Sequence, residues 1–192
     1  MTSPGPRVVL VRHGETEWSA DGRHTGRSDI PLTAKGEEQA RALAPRLAGC
    51  PFALVLSSPL SRAWRTAELA GLTGVEPDAD LMEWDYGEFD GRTTEAIRRQ
   101  YTGWTIWDGP VPGGETIDQV AARADRVLAR VRACPPGSMV ALVGHGHSLR
   151  VLAARWLGTA PQAGRWLALT TGTLSNLGWE HETAVISWWN AS

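Results

Sequence analysis

The stretch VVLVRHGETEWS, from Val8 to Ser19, decides the fold, because a buried strand passes directly into charged residues. Val8 to Val11 form a short, mostly β-branched apolar run, which is typical of a central strand covered on both faces. Arg12 and His13 stand where that strand must end.

Two further apolar runs, FALVLSS at 52–58 and SMVALV at 138–143, predict buried strands. Helix signals lie between the strands. Thr33 is predicted to cap a helix that stops near Gly49 and that Pro45 should kink.

Two more helices begin at recognisable caps. Ser58 and Pro59 predict the N-cap and the first position of a helix that holds Arg62 in its first turn. Thr116 and Gln119 form a capping-box pair, and the apolar residues that follow them keep helical spacing.

The C-terminal part completes the predicted fold. We expect a turn at 144–147 (GHGH), a helix over 148–157, and two or three strands within 165–169, 174–180 and 184–189. Strands that alternate with helices predict an α/β fold, a three-layer sandwich with a mainly parallel central sheet flanked by helices. Ligands of such sheets bind beyond the carboxyl ends of the strands.

The segment from about 81 to 115 mixes acids, glycines and aromatic residues and carries one short helical pattern at 94–99. We interpret it as a long, lid-like excursion within a single domain that spans residues 1–192. The sequence alone leaves open whether its tryptophans form a lid or a core.

Composition limits the function classes. The chain has 192 residues, a formal net charge of -2 and no block of basic residues, which argues against nucleic acid or an anionic membrane as partner. No apolar run is long enough to span a bilayer, and MTSPGPR lacks the regions of a signal peptide, so we expect a cytoplasmic protein. Cys50 and Cys134 form no CxxC motif and are expected to be structural.

Three strand ends carry chemically unusual residues: Arg12 and His13, the stretch from Ser58 to Arg62, and His145. Because the carboxyl ends of parallel strands share one edge, these side chains should converge on one pocket. The donor fork of arginine suits phosphate oxygens, and an imidazole nitrogen can attack phosphorus to form a covalent intermediate.

The leaving oxygen of such a reaction needs a proton. A carboxyl group beside a bound phosphate is kept protonated more readily by the like charge, so an acid from the excursion could donate. The pattern alone does not choose among the four candidates, which are Glu83, Asp85, Glu88 and Asp90.

The motifs RHGETEWS, GRHTGRSDIPLTAKGEEQA, SSPLSRAWRTAEL, LMEWDYGEFDG, PGGET and GHGHSLR occur in this order and together resemble the histidine phosphatase superfamily, also called phosphoglycerate mutase-like. The resemblance covers nearly the whole chain. It implies that His13 is the phosphorylated nucleophile and Glu83 the proton donor. It also implies that Arg12, Arg62 and His145 surround the transferred phosphoryl group.

The resemblance further implies that Thr25, Gly26 and Tyr86 contact the substrate. Ser19 stands where the family motif has asparagine, which shortens a candidate hydrogen-bonding arm of the substrate site. The reaction needs no metal and no cofactor. The glycine after His13 is expected to let the backbone approach the substrate closely.

Several residues have alternative interpretations. GHGHSL looks like a dinucleotide loop but lacks the third glycine, and His145 with His147 would make a metal pair without a third ligand. His147 could line the pocket or hydrogen-bond at a helix N-terminus. His24 and His181 are expected at the surface. Three arginines could face a second phosphate or solvent, namely Arg92, Arg98 and Arg99.

The segment YTGWTIWDGPVPGGE, at 101–115, lacks the basic residues of classical mutases, so we favour hydrolysis. The motifs most resemble a branch that holds acid phosphatases and a sedoheptulose-1,7-bisphosphatase. The leading hypothesis is a phosphatase acting on a small phosphorylated metabolite, a sugar phosphate by preference. The alternatives are a phosphoglycerate mutase and an inactive phosphate-binding protein. An edge strand with Trp188 and Trp189 is a candidate contact of a homo-oligomer.

Overall fold

A computed structural model describes residues 4–192, which contain one six-stranded sheet. The strands are β1 (Arg7–Arg12), β2 (Phe52–Ser57), β3 (Val75–Pro77), β4 (Met139–Gly144), β5 (Leu174–Glu180) and β6 (Thr183–Ala191). Their order is β3-β2-β4-β1-β5-β6. The pairings among β1 to β4 are parallel, whereas β5 and β6 run antiparallel. The predicted mainly parallel sheet is confirmed.

Helices cover both faces of the sheet. They are α1 (Glu17–Ala20), α2 (Ala34–Leu47), α3 (Ser61–Leu69), α4 (Thr94–Arg98), α5 (Ile117–Arg132) and α6 (Gly146–Trp156). Three short 3-10 helices lie at Ala79–Leu81, Gly87–Phe89 and Pro161–Trp166.

The alternation of side chains along β1 builds two cores. Val8 and Leu10 belong to the apolar cluster that includes residues of α5 and α6, whereas Val9 and Val11 belong to the cluster that includes residues of α2 and α3. Because both faces of β1 are covered, its central residues, Val8 to Val11, are all apolar. The predicted three-layer sandwich is confirmed.

The predicted start of α3 is wrong. The helix begins at Ser61, and its N-cap is Leu60, which makes no side-chain capping bond. Instead, the carboxylate of Asp29 accepts hydrogen bonds from the backbone N–H and the hydroxyl of Ser61, both at 2.8 Å. A distant loop therefore replaces the local cap, which frees Ser58 for another contact. In α2 the predicted Thr33 cap is confirmed, and the helix continues through Pro45.

Two predictions for the C-terminal part are also wrong. GHGH is not a turn, because α6 begins at Gly146 with His145 as its N-cap residue. The stretch 165–169 is not a strand, because its start belongs to the 3-10 helix Pro161–Trp166 and no strand is assigned there. The capping box of Thr116 and Gln119 is confirmed.

The excursion packs its aromatic residues inward. Trp84, Trp104 and Trp107 are all buried and belong to the same apolar cluster as Val8 and Leu10. They are therefore core residues, and a lid role for the excursion stays a prediction. Within residues 4–192, no helix is long and apolar enough to cross a membrane.

The sheet edge formed by β6 carries Trp188, whose exposed fraction is 39%. A homo-oligomer through this edge stays a prediction. Cys50 and Cys134 are both free cysteines.

Candidate active site

A cavity of about 190 Å³ opens at the carboxyl ends of β1 and β4. It is lined by Arg12, His13, Ser19, Gly22, Arg23, His24, Thr25, Glu83, Tyr86, Gly146, His147, Arg150 and Leu169. Six of the predicted site residues are among them. The other three, Gly26, Arg62 and His145, do not line the cavity.

His13 follows β1 directly and is held in one tautomer. Its Nδ1 lies 2.6 Å from the backbone carbonyl oxygen of Gly14, which only accepts hydrogen bonds, so Nδ1 carries the proton. The lone pair is therefore on Nε2. Burial lowers the pKa of His13 well below its usual value, and the positive charges of Arg62 and Arg12 lower it further. The ring is therefore neutral at neutral pH.

The glycine after His13 is needed for helix packing, and its expected close approach to the substrate stays a prediction. A Cβ atom on Gly14 would collide with the backbone of Gly36 in the first turn of α2. Gly36 in turn has no room for a Cβ atom beside the backbone of Glu15. The N–H of Gly14 donates to the hydroxyl of Thr66 in α3 at 3.1 Å. These contacts hold the loop after His13 between α2 and α3.

Behind His13 lies a buried row of Arg62, His145 and Ser58. The Nε of Arg62 donates to Nδ1 of His145 at 3.1 Å, so the proton of His145 is on Nε2, which donates to the hydroxyl of Ser58 at 2.7 Å. Burial lowers the pKa of His145 well below its usual value, and the charge of Arg62 adds to this. The rings of His145 and His13 are 5.1 Å apart between centroids.

The guanidinium of Arg62 also organises the loop before α2. It donates to the backbone carbonyl oxygens of Thr25 (3.1 Å), Gly26 (2.9 Å) and Ser28 (2.8 Å). Arg62 is fully buried in the first turn of α3, as the sequence predicts. Its position lets its charge act on the cavity through His145.

Arg12 turns toward the cavity from the end of β1. Its Nη1 donates to the carbonyl oxygen of Leu169, and its Nε is buried without a partner among the described residues. Burial lowers the pKa of Arg12, while the carboxylate of Glu83 opposes that effect. An unpaired buried donor beside a cavity is suited to an anionic ligand.

Glu83 is the only one of the four candidate acids that lines the cavity. Its Oε1 accepts from the backbone N–H of Trp84 (2.9 Å) and Ser148 (2.8 Å), and its Oε2 accepts from that of His147 (3.0 Å). Two of these donors belong to the first turn of α6, whose N–H groups are free to bind a carboxylate.

The other candidate acids have different partners. Asp90 accepts from the backbone N–H groups of Gly26 (2.8 Å) and Ser28 (3.2 Å), and Asp85 accepts from that of Gly87 (2.9 Å). Glu88 is exposed.

A buried ion pair holds the segment that carries Glu83. Arg123 of α5 contacts both carboxylate oxygens of Glu115 at 2.7 and 2.8 Å and donates to the carbonyl oxygens of Asp80 and Met82 at 2.7 and 3.0 Å. Glu115 also accepts from the backbone N–H of Asp85 at 3.0 Å. The backbone on both sides of Glu83 is thus tied to one helix. Sequence reasoning missed this pair, because its residues belong to separate motifs.

The predicted substrate residues divide between the cavity wall and its support. Ser19 lines the cavity, but its hydroxyl and backbone N–H form the capping box of α1 with Thr16, at 2.9 and 3.2 Å. Thr25 lines the cavity, whereas Gly26 lies behind it, where a Cβ atom would meet the backbone of Trp84. Gly26 is therefore a packing residue in this structure.

Sequence reasoning misplaced His24 and left His147 open. Both line the cavity beside Tyr86: the Tyr86 hydroxyl is 2.6 Å from Nδ1 of His147, and the ring of His24 is 4.8 Å from that of Tyr86. Burial lowers the pKa of His24 to about 4 and that of His147 well below its usual value. His181 is exposed, as expected.

Arg150 lines the cavity as well, although the motif GHGHSLR does not by itself indicate a role for this side chain. It lies in α6, over the ring of Trp107 at 4.6 Å. Arg92, Arg98 and Arg99 do not line the cavity.

The alternative metal pair is not formed, because His145 and His147 point to different partners. Among residues 4–192, no three His, Cys, Asp or Glu side chains are grouped to hold a metal ion.

Comparison with known proteins agrees with this arrangement. A model of the histidine phosphatase superfamily (branch 1) matches residues 8–192. An acid phosphatase of Mycobacterium tuberculosis is 40% identical over 178 residues, which cover 91% of this chain and 87% of that protein. A probable phosphoglycerate mutase, GpmB, of Salmonella choleraesuis is 35% identical over 192 residues, which cover 95% of this chain and 89% of that protein.

Solved structures have the same fold. A functionally characterised open reading frame of Mycobacterium tuberculosis superposes with a TM-score of 0.91 at 35% identity. The superposition covers 97% of this chain and 98% of that one.

Proposed function

Because the chain belongs to the histidine phosphatase superfamily, we propose that it is a metal-independent phosphatase that hydrolyses a small phosphorylated metabolite, a sugar phosphate by preference. The observation that carries this proposal is the state of His13. Its neutral ring has its proton fixed on Nδ1, and it lines the same cavity as Arg12, whose Nε is buried without a partner among the described residues. An imidazole in that state can accept a phosphoryl group on Nε2.

In the proposed first step, Nε2 of His13 forms a bond to phosphorus as the bond from phosphorus to the substrate oxygen breaks. Arg12 binds the phosphoryl oxygens, and Arg62 and His145 stabilise the negative charge from behind His13. Glu83, protonated at this stage, gives its proton to the departing alcohol. Its place on the wall of the same cavity supports that role.

In the proposed second step, the ionised Glu83 removes a proton from water, and the water oxygen attacks phosphorus. The bond from phosphorus to Nε2 breaks, which releases inorganic phosphate and restores His13. The three backbone N–H groups that bind the carboxylate keep it in place through both steps.

Hydrolysis is favoured over mutation by the content of the excursion. Residues 101–115 contain no lysine or arginine to retain a phosphorylated intermediate. The 40% identical relative is named as an acid phosphatase. The 35% identical relative is named as a probable mutase, so phosphoglycerate mutase is the alternative.

The test is the release of inorganic phosphate from sugar monophosphates and bisphosphates, phosphoglycerates and an aryl phosphate, in excess chelator. We expect release by the wild type and none by His13→Ala, with His181→Ala, an exposed histidine, as the matched control. Release that persists in His13→Ala would overturn the phosphohistidine mechanism. Movement of phosphate between the hydroxyls of a phosphoglycerate, without release, would replace the phosphatase with the mutase.

A further inference from the structure

The wall of the cavity carries a cation that the proposed phosphoryl transfer does not use. This wall carries three arginines, Arg12, Arg23 and Arg150, against the single carboxylate of Glu83. The histidines that line it are neutral, because burial lowers their pKa values. Arg23 is exposed and pairs with Asp21 at 3.4 Å, so the remaining positive charge of the wall lies on Arg12 and Arg150.

Arg150 is held in a fixed orientation. Its Nε and Nη2 donate to the carbonyl oxygens of Gly164 (2.9 Å) and Arg165 (3.0 Å), and its guanidinium lies over the ring of Trp107. Its Nη1 has no hydrogen-bond partner among residues 4–192. A rigid guanidinium with one free amino group binds an anion at little entropic cost.

The proposed reaction does not use Arg150. The phosphoryl group is served by Arg12 and by the row behind His13, whereas Arg150 stands with His147 and Trp107, whose rings are 5.4 Å apart. The charges of Arg12 and Arg150 repel each other, and the wall of the cavity offers only Glu83 in compensation. The oxygens of Glu83 already accept three backbone N–H groups.

We propose that Arg150 forms a second anion subsite, so that the preferred substrate is a phosphomonoester that carries another acidic group, a phosphate or a carboxylate. This inference rests on the proposed function, because the first subsite is the phosphoryl site at His13. The second acidic group binds Nη1 of Arg150 and is not transferred. His24, Tyr86 and His147 line the same cavity, and they are the neutral groups available to the rest of the substrate.

The test compares substrates that differ only in the second acid. Fructose 1,6-bisphosphate is compared with fructose 1-phosphate and fructose 6-phosphate, and 3-phosphoglycerate with glycerol 3-phosphate. For Arg150→Gln we expect KM to rise about tenfold or more for the doubly acidic compounds, because a charge-assisted hydrogen bond is lost. The singly acidic compounds should change less than about twofold. The comparison of the fructose phosphates tests a second phosphate, and the comparison of 3-phosphoglycerate with glycerol 3-phosphate tests a carboxylate.

Controls separate binding from structural support. Arg155→Gln changes an arginine of the same helix that pairs with Asp125 outside the cavity, and it should affect neither substrate class. Arg150→Lys keeps the charge but not the planar fork, and it should restore part of the preference. An equal loss on singly and doubly acidic substrates would make Arg150 a structural clamp and would overturn the subsite.

Calorimetry in the His13→Ala background measures the same preference without turnover. Tighter binding of fructose 1,6-bisphosphate than of the two monophosphates, lost in Arg150→Gln, supports the subsite even if no compound is hydrolysed. Equal binding of all three would overturn it, whether or not phosphate is released by the wild type.

Discussion

The carboxyl ends of the parallel strands, called the sheet edge from here on, and the excursion at 81–115 both reach the cavity. They position their residues by different means. At the sheet edge, His13 and His145 follow neighbouring parallel strands whose backbone pairing fixes them side by side. In the excursion, Glu83 lies between two short 3-10 helices and is held by the ends of other elements, namely the first turn of α6 and the Arg123–Glu115 pair. One part of the site is built by the fold, and the other by hydrogen bonds between distant residues.

This difference predicts how each part fails. Loss of a buried group at the sheet edge leaves several polar partners unpaired in the core, which destabilises the whole chain. Loss of a tie in the excursion changes the position of one carboxylate, which should reduce turnover more than stability.

The largest effect is expected for Arg62→Ala. It removes a fully buried cation and leaves three carbonyl oxygens and Nδ1 of His145 without donors. We expect the free energy of unfolding to fall by about 3 kcal/mol or more, with loss of activity. Urea denaturation measures it. The control is Arg65→Ala, on the same helix, because Arg65 is exposed and pairs only with surface acids; this variant should change the free energy of unfolding little. Similar costs for the two variants would contradict the account.

A smaller and different effect is expected for Glu115→Gln. The substitution keeps the shape of the side chain but removes the charge that pairs with Arg123, so the segment around Glu83 loosens. We expect kcat to fall by about tenfold, with KM changed less, since only proton transfer is misaligned.

The matched control for Glu115→Gln leaves the pair with Arg123 intact, and both kcat and KM are measured. Arg130→Gln, a surface arginine of α5 that pairs with Glu76 and Asp78, is the matched control and should change neither value. A rise in KM alone would indicate that the pair supports substrate binding instead.

The strand ends could be predicted from the sequence better than the contacts between distant residues. The strand runs and their parallel order are local patterns plus a topological rule, and they are confirmed by the structure. The same rule brings His13, Arg62 and His145 together, but only His13 lines the cavity. The Asp29 cap of α3 could not be predicted, because Asp29 and Ser61 are 32 residues apart and no pattern joins them.

The cavity residues that lie away from the strand ends are harder to predict than those that follow the strands directly. His24 has no apolar periodicity around it and was expected at the surface, but it packs on Tyr86 and Trp104 of the excursion. Arg150 and His147 lie on the first turns of α6, and their exposure to the cavity depends on where that helix begins. The predicted helix begins at residue 148, two residues after the observed start at Gly146, so the sequence does not show that these two side chains face the cavity.

The smallest effect concerns His24 and the decrease in the free energy of unfolding at acidic pH. An unfolded imidazole has a pKa of about 6.5, whereas burial lowers the pKa of His24 to about 4. The unfolded chain therefore binds more protons below pH 6.5, so the stability that His24 contributes is complete above that pH and is lost as the pH falls toward 4.

His24→Asn should accordingly lose less stability than the wild type between pH 7.5 and 5.5, by about 1 kcal/mol. Urea denaturation at the two pH values measures this. The control is His181→Asn, which changes an exposed histidine and should follow the wild type. Parallel pH dependences of His24→Asn and the wild type would show that His24 is protonated as freely in the fold as in the unfolded chain.

The central claim, that the sheet edge supplies the nucleophile and the excursion the proton, is tested most directly by single-turnover phosphorylation of Glu83→Gln. Mass spectrometry would detect the phosphoryl group on His13 with two substrates, an aryl phosphate, whose leaving group needs no proton, and a sugar phosphate, whose leaving group does. The account predicts that phosphohistidine accumulates rapidly from the aryl phosphate and only very slowly from the sugar phosphate. Equally fast phosphorylation by both substrates, or none by either, would contradict it.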